Sequence, residues 1–272
     1  MSVISIEQAT GSPIKLTYQD QGRGQPIVFL HPWPLSKKSW EKQMQFFASH
    51  GYRAIAFDRR GFGESSKGAA DYDYDTLAAD IEHVLRELDL HDVTLVGLSM
   101  GGGELARYIG KYGTSRVSRA VFIASVPPRF SSGTDPNNDF LAKMQEQLLN
   151  DRTNFLQQQM KKFFATSIDL TKSENAIFVE QAIAEAALAE TNALVRSIDT
   201  WRTDLTHDFE KINIPTLIIS GECDQLTPKI MGDEIQKKVD ESKHYIIPNA
   251  SHGLAQTHAD AVNKLLFDFI TN

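Results

Sequence analysis

The sequence predicts an α/β fold with a mainly parallel sheet flanked by helices, and three observations support this prediction. Short, continuous apolar runs recur along the chain, as expected for strands that are covered on both faces. Segments with one apolar helical face lie between these runs, and such alternation is typical of a parallel sheet. The 272 residues are enough for one large domain of this kind.

The apolar runs define the predicted strands. They are PIVFLH at 26–31, RAIAFD at 53–58, VTLVGLS at 93–99, RAVFIAS at 119–125, TLIISG at 216–221 and KHYIIP at 243–248. Residues 14–22 alternate instead, and they predict an antiparallel hairpin strand at the edge of the sheet. Residues 75–90 and 259–270 each place apolar side chains on one helical face.

The interval from 127 to 208 breaks the alternation, because only helical patterns occur in it. A turn-rich stretch at 125–136 leads into this interval. We therefore predict a core formed by residues 1–126 and 209–272, with a helical cap inserted at 127–208.

The composition argues against several classes of protein. With 35 acidic and 28 basic residues the formal net charge is −7, so nucleic acid and anionic membrane surfaces are poor partners. No apolar run reaches the roughly 20 residues that span a bilayer, and the first residues lack the basic start and apolar core of a signal peptide. Cys223 is the only cysteine, which excludes an intrachain disulfide. We expect a cytoplasmic protein.

The motif G-x-S-x-G runs from Gly97 to Gly101 and surrounds Ser99. It directly follows a predicted strand and precedes a predicted helix, which is the context that a nucleophile elbow requires. Four glycines lie close to this one serine, although glycine costs conformational entropy on folding. A sharp turn in which larger side chains would clash explains them. Such a turn presents the hydroxyl at a helix N-terminus, where backbone N–H groups favour negative charge. We predict that Ser99 is a nucleophile, and an incidental serine in a glycine-rich turn is the alternative.

A serine hydroxyl is a weak nucleophile and needs a positioned base. At an elbow the partners follow the serine in the order Asp or Glu, then His. His252 lies in a glycine-containing loop after a predicted strand, at the sheet edge where a base is needed. Asp224 lies in the loop after residues 216–221, and we predict that it orients His252 and stabilises the imidazolium. Glu222 is the alternative acid.

Negative charge that develops on the substrate oxygen needs hydrogen-bond donors. The N–H of Met100, directly after Ser99, is one predicted donor. The N–H of Trp33 is the other, because Pro32 and Pro34 on either side of it have no N–H.

Apolar side chains near the predicted elbow are expected to form an acyl pocket. The predicted wall residues are Phe130, Phe163, Trp201 and Leu226, together with Trp33. Ordinary core packing is the alternative for each aromatic residue taken alone.

Other motifs give no sign of a cofactor. The turn DRRGFG at 58–63 lacks the third glycine of a dinucleotide loop, and we expect it to support the loop that carries Trp33. The consecutive lysines at 37–38 are expected at the solvated surface. The sequence contains no H-E-x-x-H motif and no cysteine cluster, so we predict no metal or other cofactor.

These segments resemble the α/β-hydrolase fold and, more closely, the cofactor-free haloperoxidase, arylesterase and perhydrolase family. The resemblance covers residues 26–125 and 211–272. The matching segments are HPWPLSKKSW, YRAIAFDRRGFGESS, DYDYDTLAADI, VTLVGLSMGGGELARYIGKYG, DQLTP and SHG. The family usually has His-Gly-Trp where this chain has His-Pro-Trp at 31–33, and Pro34 matches the Trp-Pro of members that are active in perhydrolysis.

The resemblance implies a serine hydrolase that acts on small or aryl carboxylic esters through an acyl-enzyme. It also implies that hydrogen peroxide can replace water as the acceptor, which gives perhydrolase and haloperoxidase side activity without a metal. A small-molecule ester is the expected partner, and a homo-oligomer stays open because relatives are often symmetric oligomers. Two alternatives remain: hydrolysis of another carbonyl substrate (a lactone, a lactam or a C–C bond), and a low-turnover ligand receptor on the same fold.

Overall fold

The computed structural model describes residues 2–8, 11–69, 71–130, 139–165 and 173–272, the last range without the side chains of 173–175. Within these residues, eight strands form one sheet. They are β1 (Ser2–Ile6), β2 (Ile14–Gly22), β3 (Pro26–Leu30), β4 (Arg53–Phe57), β5 (Val93–Leu98), β6 (Val117–Ile123), β7 (Thr216–Gly221) and β8 (Ser242–Ile247). All the apolar runs that predict strands lie in this sheet.

Helices connect the strands. They are α1 (Glu41–Ser49), α2 (Tyr74–Glu87), α3 (Met100–Tyr112), α4 (Phe140–Asn150), α5 (Arg152–Phe164), α6 (Ser173–Ala187), α7 (Thr191–Thr200), α8 (Thr206–Glu210), α9 (Lys229–Gln236), α10 (Leu254–Thr257) and α11 (Ala259–Thr271), and a short 3-10 helix spans Lys37–Trp40. The amphipathic pattern predicted for α2 is confirmed, because Leu77 and Ile81 are buried. The helix begins after Asp73, whose side chain accepts the Thr76 N–H at 2.8 Å. No helix in the described part of the chain is long and apolar enough to cross a membrane.

The strands follow the order β1-β2-β4-β3-β5-β6-β7-β8 across the sheet. The pairs β1–β2 and β2–β4 are antiparallel, whereas all pairings from β4 to β8 are parallel. The predicted mainly parallel sheet is therefore confirmed. Because parallel strands end at the same edge, the loops after β3, β5, β7 and β8 converge at one end of the sheet.

The position of β2 differs from the prediction. Residues 14–22 form β2, but this strand pairs with β1 on one side and β4 on the other, so it is not at the edge. The edge strand is β1, in which Ile4 is buried and its neighbours are largely exposed. Alternation of polar and apolar side chains reports that one face of a strand is solvated. It does not report how many neighbours the strand has.

Lys37 is a second correction, because it is buried rather than solvated. Its side chain is 2% exposed, and its ammonium group donates to Asp58 at 2.6 Å and to Glu64 at 2.7 Å. Burial acts to lower the pKa of Lys37, but the two carboxylates outweigh it and the pKa is raised. A lysine doublet in the sequence does not reveal that two carboxylates meet one of its members after folding.

The interval between β6 and β7 contains α4 to α8 and no strand among its described residues. The helical patterns predicted there are therefore observed. The division into a core of residues 1–126 and 209–272 and a cap at 127–208 stays a prediction. Residues 131–138 and 166–172 of the predicted cap, including part of its turn-rich entry, lie outside the described residues.

Candidate active site

Ser99 joins β5 to α3 in a strained backbone conformation. Its φ is 56° and its ψ is −119°, which a residue with a Cβ rarely adopts. A Cβ at Gly97 would overlap the carbonyl oxygen of Gly101, and a Cβ at Gly101 would overlap that of Leu30. The two glycines therefore allow the close approach of β3, β5 and α3 that this turn requires.

Asp224 and His252 form a buried pair in the loops after β7 and β8. His252 Nδ1 lies 2.8 Å from Asp224 Oδ2, and both side chains are at most 3% exposed. An ionised carboxylate only accepts hydrogen bonds, so Nδ1 carries the proton and Nε2 keeps a lone pair that can take another. Glu222 is exposed, and its carboxylate accepts the N–H of Asn249 at 3.0 Å. The geometry thus joins Asp224, rather than the alternative acid, to His252.

The Asp224 carboxylate is held by the residues that follow it. Its Oδ1 accepts the N–H groups of Leu226 at 2.8 Å and Thr227 at 2.9 Å. The Thr227 hydroxyl lies 2.8 Å from Asp224 Oδ2 and 3.1 Å from His252 Nδ1. Burial acts to raise the pKa of Asp224, but the charge of His252 and these hydrogen bonds outweigh it, and the pKa lies below its usual value. Asp224 is therefore ionised at neutral pH.

Ser99 and His252 line the same cavity. The hydrogen bonds that the His252 ring forms among the described residues use Nδ1, and none joins Nε2 to Ser99 Oγ. Catalytic hydrogen bonds are often long without substrate and tighten in the Michaelis complex. The ring of Phe163 packs edge-on against the His252 ring at a centroid distance of 4.8 Å, which limits the motion of the imidazole.

The loop after β3 carries Trp33 and is held through His31. The Nε2 atom of His31 accepts the Arg59 N–H at 3.0 Å, so Nδ1 carries the ring proton and donates to the Pro32 carbonyl at 2.9 Å. Burial, followed by the charge of Arg59, lowers the pKa of His31 well below its usual value, so the ring is neutral. The Pro32 carbonyl also accepts the N–H of Leu35 at 3.1 Å. Because a trans peptide is planar, a fixed Pro32 carbonyl also fixes the direction of the Trp33 N–H.

A buried ion pair supports this loop. Arg59 Nε lies 2.5 Å from Glu104 Oε1, and each side chain is 2% exposed. The Arg59 Nη2 group donates to the His31 carbonyl at 2.6 Å. Arg59 belongs to the turn at 58–63, so the predicted support of the Trp33 loop by this turn is confirmed.

Helix α6 contacts the same loop. The Glu185 carboxylate accepts the Ser36 N–H and the Ser36 hydroxyl, each at 2.6 Å. Burial raises the pKa of Glu185 above its usual value, although both hydrogen bonds act against this shift. The Trp33–Pro34 peptide bond within the loop is cis. Two contacts thus hold the loop: Arg59, which follows β4, and Glu185 of α6 in the predicted cap.

The two predicted oxyanion donors have no acceptor among the described residues. Met100 is the first residue of α3, so its N–H has no carbonyl partner within the helix. The Trp33 N–H likewise donates to no described group. The N-terminus of α3 adds partial positive charge beside Ser99. The role of these two N–H groups stays a prediction.

The cavity that contains Ser99 and His252 has a volume of about 360 Å³. Four of the predicted wall residues line it, namely Trp33, Phe130, Trp201 and Leu226. The Trp33 and Trp201 rings meet edge-on at a centroid distance of 5.3 Å. Four depressions with larger volumes, of about 660, 670, 420 and 490 Å³, contain neither Ser99 nor His252, so volume alone does not identify this site.

Phe163 is a correction to the predicted pocket. Its side chain is 1% exposed and is not part of the cavity wall. Its carbonyl accepts the Gly253 N–H at 2.9 Å and the Ser251 hydroxyl at 3.1 Å. Phe163 therefore packs beneath the loop of His252 and holds it, because the end of α5 turns its ring and carbonyl toward that loop.

The side of the cavity formed by α4 was not predicted from the sequence. Phe140, Lys143, Met144 and Gln147 line the cavity and have the spacing i, i+3, i+4 and i+7. Such spacing places side chains on one helical face. The sequence pattern can indicate that these side chains lie on one face of a helix. Only the folded structure shows that this face lines the cavity of Ser99. Gln159 and Lys162 of α5 complete this side of the cavity.

Comparison with known proteins agrees with the fold. A model of the alpha/beta hydrolase fold family matches residues 25–259. A non-heme chloroperoxidase of Kitasatospora aureofaciens is 35% identical, and the match covers 96% of this chain and 98% of that protein. A bifunctional esterase/perhydrolase of Acinetobacter calcoaceticus is 34% identical with the same coverage. The crystal structure of a bromoperoxidase from Bacillus anthracis is 39% identical, covers 100% of both chains and has a TM-score of 0.91.

The fold, the strained turn at Ser99 and the Asp224–His252 pair define a serine hydrolase. The chain belongs to the alpha/beta hydrolase fold family, and its relatives group it with the non-heme haloperoxidases and perhydrolases. The family resemblance that the sequence predicts is thereby confirmed.

Proposed function

We propose that this chain is an esterase that hydrolyses small or aryl carboxylic esters through an acyl-enzyme on Ser99. One observation carries the proposal: the buried hydrogen bond between Asp224 and His252 borders the cavity in which Ser99 lies on a strained turn. A histidine oriented by a carboxylate is the base that a serine needs to become a nucleophile. The esterase/perhydrolase among the relatives supports the same class of reaction.

In the proposed acylation, Ser99 Oγ attacks the ester carbonyl carbon while His252 Nε2 removes the hydroxyl proton. The ionised Asp224 stabilises the imidazolium and does not take the proton itself. The carbonyl oxygen becomes an oxyanion, to which the N–H groups of Trp33 and Met100 donate. His252 then returns the proton to the leaving oxygen, the ester C–O bond breaks, and the alcohol departs from the acyl-enzyme.

Deacylation repeats these steps with a second acceptor. Water loses a proton to His252, attacks the acyl carbon and releases a carboxylic acid. Hydrogen peroxide in the place of water releases a peroxy acid, which oxidises halide in solution. The chloroperoxidase and the esterase/perhydrolase among the relatives support this second acceptor.

The dimensions of the cavity favour small substrates. A volume of about 360 Å³ with tryptophans in its wall suits a short acyl chain and a single aromatic ring. A cytoplasmic location is part of the proposal, because a chain with one cysteine, Cys223, gives no sign of the disulfides typical of an oxidising compartment. A homo-oligomer stays a prediction. Sedimentation of the purified protein measures its oligomeric state.

A paired assay tests the proposal. Hydrolysis of p-nitrophenyl acetate, and peracetic acid formation from acetate and peroxide, are measured for the wild type and for Ser99→Ala. We expect repeated turnover by the wild type and loss of both activities in a variant that keeps its circular dichroism spectrum. Activity retained by Ser99→Ala would reject Ser99 as the nucleophile. A wild type that stops after about one turnover would favour the ligand receptor instead.

A further inference from the structure

The mouth of the cavity carries charge of one sign. Lys143 of α4 and Lys162 of α5 line the cavity, and both side chains are exposed. No aspartate or glutamate is present among the described residues of its wall. Asp224 lies behind His252, and its carboxylate is fully buried and already hydrogen bonded.

The two lysines have no counter-ion in the described part of the chain. Neither Lys143 nor Lys162 takes part in an ion pair or a side-chain hydrogen bond there. In a chain whose formal net charge is −7, two unpaired cations at the mouth of a candidate active site create a local field opposite in sign to the whole.

The direction of the reaction places one part of the substrate near these lysines. The acyl group stays attached to Ser99, which is 9% exposed, while the alcohol must depart through the mouth. Because Lys143 and Lys162 are exposed, we expect a substituent on the alcohol part to extend toward them. Gln147, Gln159 and Gln225 also line the cavity and add amide N–H donors.

We propose that the cavity selects esters whose alcohol part carries a carboxylate, with Lys143 and Lys162 as the groups that bind it. This inference rests on the proposed esterase function and adds a substrate class to it. A lysine ammonium group is a point charge with three N–H donors, so it can bind a carboxylate in more than one orientation. The apolar wall residues accommodate the part of the alcohol between the carboxylate and the ester oxygen.

Two esters with the same acyl group test the inference. Phenyl acetate and 4-acetoxybenzoate form the same acetyl-enzyme and differ in one para carboxylate, which also makes the phenol a slightly better leaving group. The part of the ratio of their kcat/KM values that depends on salt and on the two lysines therefore reports how that charge is treated during acylation. We expect the wild type to prefer 4-acetoxybenzoate at low ionic strength. The preference should fall clearly near 1 M salt, where the Debye length is about 3 Å.

Substitution of the two lysines tests their part in this preference. A unit charge pair about 4 Å apart in water interacts by about 1 kcal/mol, which corresponds to a factor of about five. We therefore expect Lys143→Gln and Lys162→Gln each to lower the ratio about fivefold. Lys161→Gln is the matched control, because Lys161 is exposed on the same helix as Lys162 but does not line the cavity. It should keep the wild-type ratio.

Three results would overturn the inference. They are a wild type with no preference for the anionic ester, a double variant of Lys143 and Lys162 that keeps the wild-type ratio, and a Lys161→Gln variant that lowers the ratio as strongly as Lys162→Gln. Turnover of phenyl acetate without any such preference rejects only this substrate class. Absence of turnover of both esters rejects the esterase function on which it rests.

Discussion

The hydroxyl group of Thr227 is placed to hold the Asp224 carboxylate. Its Oγ1 lies 2.8 Å from Asp224 Oδ2 and 2.9 Å from the carbonyl oxygen of Ala124, and it has one proton for these two acceptors. A hydrogen bond to a carboxylate favours the ionised form and lowers its pKa. Thr227 is therefore a positioning residue, which acts on the reaction through Asp224 and His252.

The variant Thr227→Val removes this hydroxyl and puts a methyl group of similar size in its place. A hydrogen bond to a charged group contributes about 1.5–3 kcal/mol. Since 1.36 kcal/mol is a factor of ten in rate, we expect kcat/KM for phenyl acetate to fall about 10- to 150-fold. Loss of the donor also raises the pKa of Asp224, so the carboxylate is protonated at a higher pH. The acid limb of the pH–rate profile should move to higher pH.

The assay is kcat/KM for phenyl acetate between pH 4 and 9, with urea unfolding as a check of stability. Thr227→Ser is the matched control, because it keeps the hydroxyl and loses only the methyl group. We expect it to retain the wild-type acid limb. A folded Thr227→Val variant with wild-type rate and profile would refute the reasoning. Equal impairment of both variants would assign the effect to packing of the methyl group.

Four further outcomes are expected. Asp224→Asn should lower kcat about 10⁴-fold, as the equivalent substitution does in Ser-His-Asp proteases, whereas Glu222→Gln should keep a kcat close to that of the wild type. If steady-state kinetics show the reverse order, Glu222 is the acid that orients His252. Glu104→Gln leaves the buried charge of Arg59 without a partner, so urea unfolding should show a loss of about 3–5 kcal/mol, and a loss below 1 kcal/mol would contradict the buried pair. Because the pKa of Asp224 is depressed, its ionised form stabilises the fold above about pH 4 and this contribution is lost as the pH falls through the folded pKa. The difference in unfolding free energy between the wild type and Asp224→Asn should therefore shrink as the pH falls from 7 to 3. A constant difference would show that ionisation of Asp224 does not stabilise the fold. Incubation with EDTA should leave ester hydrolysis unchanged, because the proposed acyl transfer uses no metal ion, and a loss that added metal restores would contradict it.

The parts of the site that depend on local geometry were predictable from the sequence. Ser99 and its flanking glycines are a local device, since the turn and the close contacts involve residues a few positions apart or the adjacent strand. Asp224 and His252 were predictable for a related reason. Each follows an apolar run, and the ends of parallel strands meet at one edge of the sheet. The strands themselves carry enough apolar residues to be recognised without tertiary information.

Features that depend on long-range contacts were not predictable. The sequence gives no sign that Arg59 meets Glu104, because the two residues are 45 positions apart and neither has a characteristic motif. Lys37 was misjudged because two carboxylates reach it only in the folded chain. Phe163 lies within helical spacing of wall residues, but its ring faces the loop of His252 rather than the substrate. In each case the missing information is which face of an element meets which neighbour.

The contact between Glu185 and Ser36 has a consequence for how such enzymes diverge. Helix α6 packs against α5, which lines the cavity, and its Glu185 carboxylate accepts two hydrogen bonds from the loop that carries Trp33. A substitution that moves α6 therefore also reaches the loop of Trp33, the predicted oxyanion donor. Exchange of the helical segment between relatives should preserve turnover only when the incoming segment brings an acceptor for Ser36.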